Sequence, residues 1–329
     1  MGASYLPKGR EVNAGSRGRL RPRRLQARDD KRVTPAMDTV SCTAGPFTLT
    51  VGLEGGVVVE LLKGKQPWLK AGGEAKRDGA AATEISSRYH GAYPLLPFIG
   101  RLADGRFSWA GVNYTLPPHP LAAPHALHGV GWERRWAVAS KGASAITLSL
   151  DHPGDDAWPF AFRAKQHFAL HPWGLALTMT LTNQHRASAP AQLGWHPYFP
   201  SAGARLGTAF KQQWESDERD LPSQPVPLPK ARWAVEETVW DHCFEGPAQG
   251  ALAWPGQALR LAWSSAPRSP FRGAVLYLPE ASDFFCCEPV TACPNGLTAA
   301  DPYARGVVAL APGESLHLSI ALREERFAP

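Results

Sequence analysis

The chain has little cysteine and no long apolar run. Its 329 residues include five cysteines, an odd number that argues against a secreted scaffold held together by disulfides. No apolar stretch approaches the length of a membrane span, and the N-terminus lacks the apolar core of a secretory signal. We therefore expect a globular, cytoplasmic protein with no membrane partner.

Helical periodicity is also nearly absent. From residue 47 onward, apolar residues recur at every second position, as at Phe47, Leu49 and Val51, and glycine and proline (31 of each) supply turns between these runs. Alternation of this kind is typical of antiparallel sheets that pack face to face. The pattern predicts an all-β fold, a large antiparallel β-sandwich with few short helices, formed by residues 37–329 as a single domain.

Positive charge is concentrated at the N-terminus. Residues 1–32 hold ten Lys/Arg and three Asp/Glu, a net charge of +7, which leaves −1 for the rest of a chain of net charge +6. We expect residues 1–36 to be a disordered basic tail. Contact of this tail with nucleic acid or a membrane surface, and a chain start at Met37, are alternatives. The nearly neutral remainder gives no reason to expect a nucleic-acid partner.

Two segments place a chemically active side chain among apolar neighbours. Leu193 and Trp195 share one face of a predicted strand, so His196 points to the other face. Glu288 directly follows Phe284–Cys287, and we expect its carboxylate to emerge where a strand leaves the core. Partial burial would raise its pKa and suit it as a general base. A surface histidine is the alternative for His196.

The cysteines do not predict a metal site. Cys286 and Cys287 are adjacent, so their side chains would point to opposite faces of a strand, and no C-x₂-C or H-x₃-H pair accompanies them. They are better interpreted as small hydrophobic residues, and we expect no metal.

Further polar candidates lie at predicted strand ends and turns. Each has a simple structural alternative: a solvated arginine, a turn histidine beside a packed indole, or an aspartate that caps a turn. These candidates are Arg101, His128, Trp132 and Asp241.

Six segments, in this order, resemble the aldose 1-epimerase (galactose mutarotase) family over about residues 93–323. They are YPLLPFIGRLADGRF, GVNYTL, ALHGVGW, LGWHPYF, DHCF and FFCCEP. Gly100 stands where the family usually has asparagine, and Pro197 where many members have a small polar residue. These departures indicate a divergent member and bear on sugar specificity more than on chemistry.

The resemblance implies an isomerase that interconverts the α and β anomers of a free aldose without a cofactor. Glu288 would take the proton of the anomeric hydroxyl while His196 donates one to the ring oxygen, from opposite sides of the C1–O5 bond. Arg101, His128, Asp241 and Trp132 would bind the sugar. The expected partner is a small-molecule sugar, and the expected assembly a monomer or dimer.

Two alternatives share this fold. A non-catalytic carbohydrate-binding or sensing domain would need neither Glu288 nor His196, and fold alone does not exclude it. A mutarotase for phosphorylated sugars would need further arginines or lysines at the pocket, for which Arg134, Arg135 and Arg163 are the candidates.

Overall fold

The computed structural model describes residues 37–70, 90–228, 232–267 and 269–325. The predicted basic tail, residues 1–36, lies outside the described residues. Strands dominate the described chain, and its helices are single 3₁₀ turns at Ala103–Gly105, Gly131–Glu133, Val235–Glu237 and Gly296–Thr298. None of the described helices is long and apolar enough to cross a membrane.

Two large antiparallel sheets carry most of the described strands. The larger sheet contains β1 (Thr39–Ala44), β2 (Phe47–Gly52), β3 (Val57–Lys63), β4 (Gln66–Pro67), β5 (Ala92–Leu95), β15 (Gly194–Pro200), β17 (Gln212–Ser216), β18 (Pro222–Pro227), β20 (Trp240–Glu245), β23 (Gly273–Leu278) and β24 (Phe284–Val290). The smaller contains β10 (Ala137–Lys141), β11 (Ala145–His152), β12 (Phe162–His171), β13 (Gly174–Asn183), β16 (Arg205–Thr208), β19 (Arg232–Ala234), β21 (Gln249–Trp254), β22 (Gln257–Ala266) and β26 (Ser315–Glu324).

Three two-stranded ladders complete the described strands. They are β6 (Arg101–Leu102) with β9 (Ala126–Leu127), β7 (Arg106–Trp109) with β8 (Val112–Thr115), and β14 (Ala189–Ala191) with β25 (Val308–Leu310). The all-β prediction is confirmed. Alternating runs became strands of the expected kind because one face of each packs into the core, as in β12, where buried and less buried residues alternate along its length.

The centre of the larger sheet is built by the order β5-β15-β24-β23-β20. A hydrophobic cluster with members from both large sheets, including Leu49 and Phe168, forms the main core. A second cluster, which includes Tyr93, Tyr198 and Cys286, packs on the larger sheet as well. Both faces of its central strands are therefore covered, and β24 is buried along its whole length.

Candidate active site

A cavity of about 230 Å³ opens on the face of the larger sheet that carries His196, opposite the core face of Trp195. The pairing of β5, β15, β24 and β23 sets the positions of the residues at the bottom of this cavity, which we call its floor. His196 lies beside Tyr93 on β5, and Glu288 lies beside Val275 on β23. Since Gly194 pairs with Val290 and Tyr198 with Cys286, the register sets His196 directly across from Glu288. All six residues expected to act on a sugar line this cavity: Arg101, His128, Trp132, His196, Asp241 and Glu288.

His196 and Glu288 form a buried pair. The imidazole Nε2 lies 3.2 Å from the carboxyl Oε1, and the two residues are 5% and 2% exposed. His196 faces away from Trp195 as expected but is buried, and Glu288 does not lie at a strand end. The strand of His196 continues past Pro197 to Pro200, and Glu288 lies inside β24 rather than at its end, because a second apolar cluster covers this face of the sheet.

Burial shifts both members of this pair towards their neutral forms. It lowers the pKa of His196 to about 3 and raises the pKa of Glu288 well above its usual value, to which the nearby negative charge of Asp241 adds. Both shifts favour the uncharged form of the pair, in which Glu288 carries a proton and His196 is a neutral imidazole. Moving that proton across the contact would give an imidazolium and a carboxylate without changing the total charge.

Two tyrosines hold the imidazole in place. The ring of Tyr93 stacks on His196 with 4.4 Å between centroids, and Tyr198 stacks on it at 4.9 Å. Both tyrosines line the cavity, and neither is among the residues predicted for the site. Strand alternation could have found Tyr198, which lies two residues after His196 on the same face. Tyr93 is set beside His196 only by the pairing of β5 with β15.

His128 presents a defined tautomer to the cavity. Its Nδ1 accepts a hydrogen bond from the backbone N–H of Gly100 at 3.2 Å, so Nε2 carries the proton and can donate it. Burial, with the neighbouring His196 and Arg101, lowers its pKa well below the usual value and keeps it neutral. Gly100 has φ +65, and a Cβ there would come within 2.7 Å of Pro294, which accounts for glycine at this position.

Arg101 is shared between two carboxylates at the cavity wall. It lies 3.2 Å from Asp241 and 3.5 Å from Asp220, and Asp220 also lines the cavity. Asp220 lies in the connection between β17 and β18 and belongs to no motif from which its role could be predicted. With one cation and two anions, this group has a net charge of −1 before Glu288 is counted.

Trp132, which was expected to bind the sugar, and Trp195, the neighbour of His196, lie in different places. Trp132 lines the cavity, and its ring stacks on Tyr93 at 5.2 Å. Trp195 is fully buried in the main core.

The arginines considered for a phosphate do not line this cavity. Each is engaged in an ion pair elsewhere: Arg134 with Asp155, Arg135 with Asp38 and Glu54, and Arg163 with Asp151.

All five cysteines are buried and form no disulfide. Cys287 packs in the main core and Cys286 in the second cluster, because adjacent residues of a strand face opposite sides. One consequence was not foreseen from the sequence: donor atoms of Cys286, His196 and Glu288 lie within 4.8 Å of one another.

The chain is similar to known proteins over most of its length. The profile of the family described as aldose 1-epimerase matches residues 43–323. Protein YphB of Escherichia coli (strain K12) is 30% identical over 309 residues, which cover 88% of this chain and 99% of YphB.

Solved structures show the same fold. A galactose mutarotase-like protein from Clostridium acetobutylicum superposes with a TM-score of 0.77 at 18% identity, covering 88% of this chain and 96% of that one. A galactose mutarotase-like protein from Lactobacillus casei superposes with a TM-score of 0.71 at 18% identity, covering 88% of this chain and 100% of that one. The chain therefore has the galactose mutarotase-like fold and belongs to the aldose 1-epimerase family.

Proposed function

We propose that this protein is an aldose 1-epimerase, which interconverts the α and β anomers of a free aldose by acid/base ring opening and reclosure. The observation that carries the proposal is the buried His196–Glu288 pair on the floor of a sugar-sized cavity. Mutarotation needs one group that accepts a proton and one that donates a proton, close to the two oxygens of a single carbon. Two titratable groups in contact, sharing one proton, meet that need.

The reaction starts with the shared proton on His196. Glu288 accepts the proton of the anomeric hydroxyl, and the C1–O1 bond gains double-bond character. The C1–O5 bond breaks, its electron pair goes to O5, and O5 takes the proton of His196. The product is the open-chain aldehyde, with the pair in its neutral form. Rotation about C1–C2 and the same steps in reverse give the other anomer.

Burial favours the form of the pair in which both side chains are neutral. This is the form that is present together with the open-chain aldehyde. Because the two side chains lie side by side on one sheet, we expect C1 of the sugar to rest above them with O1 and O5 directed to the floor. Approach from opposite sides of the C1–O5 bond would require the two groups to separate when sugar binds.

The cavity wall supplies the contacts for sugar hydroxyls. The Nε2–H of His128 and the guanidinium of Arg101 can donate hydrogen bonds, and the carboxylate of Asp241 can accept them. The indole face of Trp132 offers an apolar surface for the C–H groups of a pyranose. Holding the sugar in register lowers the barrier further because the reacting atoms no longer need to find each other.

We propose an uncharged aldose over a phosphorylated one. Among the described residues that line the cavity, Arg101 is the arginine, and two aspartates already balance its charge. A phosphate would meet a net negative wall without the convergent basic groups that bind it elsewhere.

The test is an anomer-exchange assay by NMR or polarimetry on a panel of neutral aldoses and their 6-phosphates. We expect exchange above the spontaneous rate for at least one neutral aldose and a lower kcat/KM for its phosphate. Saturable sugar binding without faster exchange would instead support the non-catalytic sugar-binding alternative.

A further inference from the structure

The Cys286 thiol shares one face of the larger sheet with the His196–Glu288 pair. Cys286 and Glu288 are two residues apart on β24, so both side chains project to the same side. Cys286 pairs with Tyr198 on β15, two residues along that strand from His196. A thiol, an imidazole and a carboxyl group are therefore presented by two hydrogen-bonded strands of a rigid sheet.

We propose that Cys286, His196 and Glu288 form a binding site for a thiophilic divalent cation, with Zn²⁺ as the preferred ion. Zinc sites with a free position use three protein ligands drawn from these residue types. The fourth position would face the cavity, where water or a sugar hydroxyl could occupy it.

The distances suit tetrahedral zinc. Zn–N and Zn–O bonds of about 2.0 Å at tetrahedral angles separate the two ligand atoms by about 3.3 Å. The Nε2 of His196 and the Oε1 of Glu288 are 3.2 Å apart. The sulfur needs to approach within about 3.5 Å of the other two donors. All three donors lie within 4.8 Å of one another, so zinc binding would require a small rotation of these side chains to bring the sulfur closer.

Charge balance favours the ion in this buried place. On binding, the Cys286 thiol and the Glu288 carboxyl group would each release a proton to solvent. The resulting thiolate and carboxylate neutralise Zn²⁺ while the imidazole stays neutral, so the complete site carries no net charge in the protein interior. An isolated charge there would be costly. The cavity wall also carries a net negative charge, because Asp220 and Asp241 outnumber Arg101, and this charge attracts a cation.

The site would make zinc an inhibitor. Metal binding engages both groups that move protons in the proposed reaction, so zinc and catalysis exclude each other. This consequence rests on the proposed function, whereas metal binding itself does not.

The test is calorimetric titration of the full chain with Zn²⁺ alone, under reducing conditions at neutral pH. We expect one tight site per chain. Cys286→Ala should weaken it by at least about 100-fold, since losing even an outer-shell partner can cost that much. Cys287→Ala is the matched control: the same change one residue along β24, on the opposite face, should leave the affinity unchanged.

Cobalt provides a second readout. The Co²⁺ form of the protein and of Cys287→Ala should show a thiolate-to-cobalt charge-transfer band, and Cys286→Ala should lack it. If Cys286→Ala does not fold, Glu288→Gln gives the same comparison, with weaker binding expected. No stoichiometric zinc, or a site that Cys286→Ala and Cys287→Ala retain equally, would overturn the proposal.

Measuring anomer exchange together with zinc binding distinguishes a failure of the metal site from a failure of the proposed function. If zinc binds through Cys286 but no aldose is turned over, the function fails and the metal site stands. If exchange is fast and zinc neither binds nor inhibits, the metal site fails and the function stands. If both hold, zinc should inhibit exchange in proportion to site occupancy, and a chelator should restore the rate.

Discussion

The His196–Glu288 contact illustrates how burial prepares two side chains for proton transfer. In water at neutral pH, the carboxylate would be charged and the imidazole mostly neutral. In the sheet, burial shifts both pKa values towards the neutral forms, with the proton of the pair on Glu288. Shifting that proton creates an ion pair without exchange with solvent, which suits a reaction that neither consumes nor releases protons.

Glu288→Gln should abolish most of the activity. The amide keeps the shape of the carboxyl group but cannot accept the anomeric proton, so anomer exchange should fall by about 10²-fold or more. The measurement is the exchange rate by NMR with the preferred aldose. Glu60→Gln, on β3 and outside the cavity, is the control and should retain the rate. A Glu288→Gln enzyme with nearly normal turnover would contradict the assignment.

His196→Gln should slow exchange by a similar factor with little loss of stability. The glutamine amide can reach the position of Nε2 but cannot cycle between protonated and neutral forms at neutral pH. The comparison is kcat alongside the melting temperature, with His171→Gln, a histidine outside the cavity, as control. If the melting temperature fell sharply while kcat of the folded fraction stayed normal, His196 would contribute to packing and not to catalysis.

At the scale of elements, one tight turn positions two wall residues. Gly129 has φ +72, and the N–H groups of Val130 and Gly131 both donate to the carbonyl oxygen of Leu96. The turn sets His128 on one side, and the indole N–H of Trp132 donates to the carbonyl of Gly129 at 3.2 Å. A Cβ on Gly129 would collide with the Leu96 carbonyl oxygen.

Gly129→Ala should therefore destabilise the fold by more than about 1 kcal/mol and weaken sugar turnover as well. Gly111→Ala is the matched control, because Gly111 also has positive φ (+78) but has open space around its Cβ position. It should show the backbone strain alone, with normal turnover by the folded protein. Chemical denaturation and the exchange rate measure the two effects. Equal losses in both variants would show that the close approach to Leu96 does not matter.

At the scale of the whole molecule, the basic N-terminus is predicted to be dispensable. Residues 1–36 carry the positive charge and little apolar surface, too little to offset the entropy of ordering. A chain of residues 37–329 should match the full chain in melting temperature and exchange rate and bind a cation exchanger more weakly. A drop of several degrees in the truncated chain would show instead that the N-terminus packs on the sandwich.

Much of the architecture, and several of the residues that line the cavity, could be predicted from the sequence. Period-two alternation is a local property, because successive side chains of a strand face opposite sides. It therefore revealed the strands and the orientation of His196 away from Trp195. The order of six short segments then indicated a family and, with it, the residues that line the cavity.

Only the tertiary structure decided what surrounds those residues. Strand pairing between distant segments brings Tyr93 to His196 and sets Glu288 across from it. The second apolar cluster buries a carboxyl group that the sequence placed at a strand end, and that burial raises its pKa. The pairing of β15 with β24 also brings the thiol of Cys286 close to His196 and Glu288. Distances across a sheet depend on register between segments far apart in the chain, and local patterns do not encode that register.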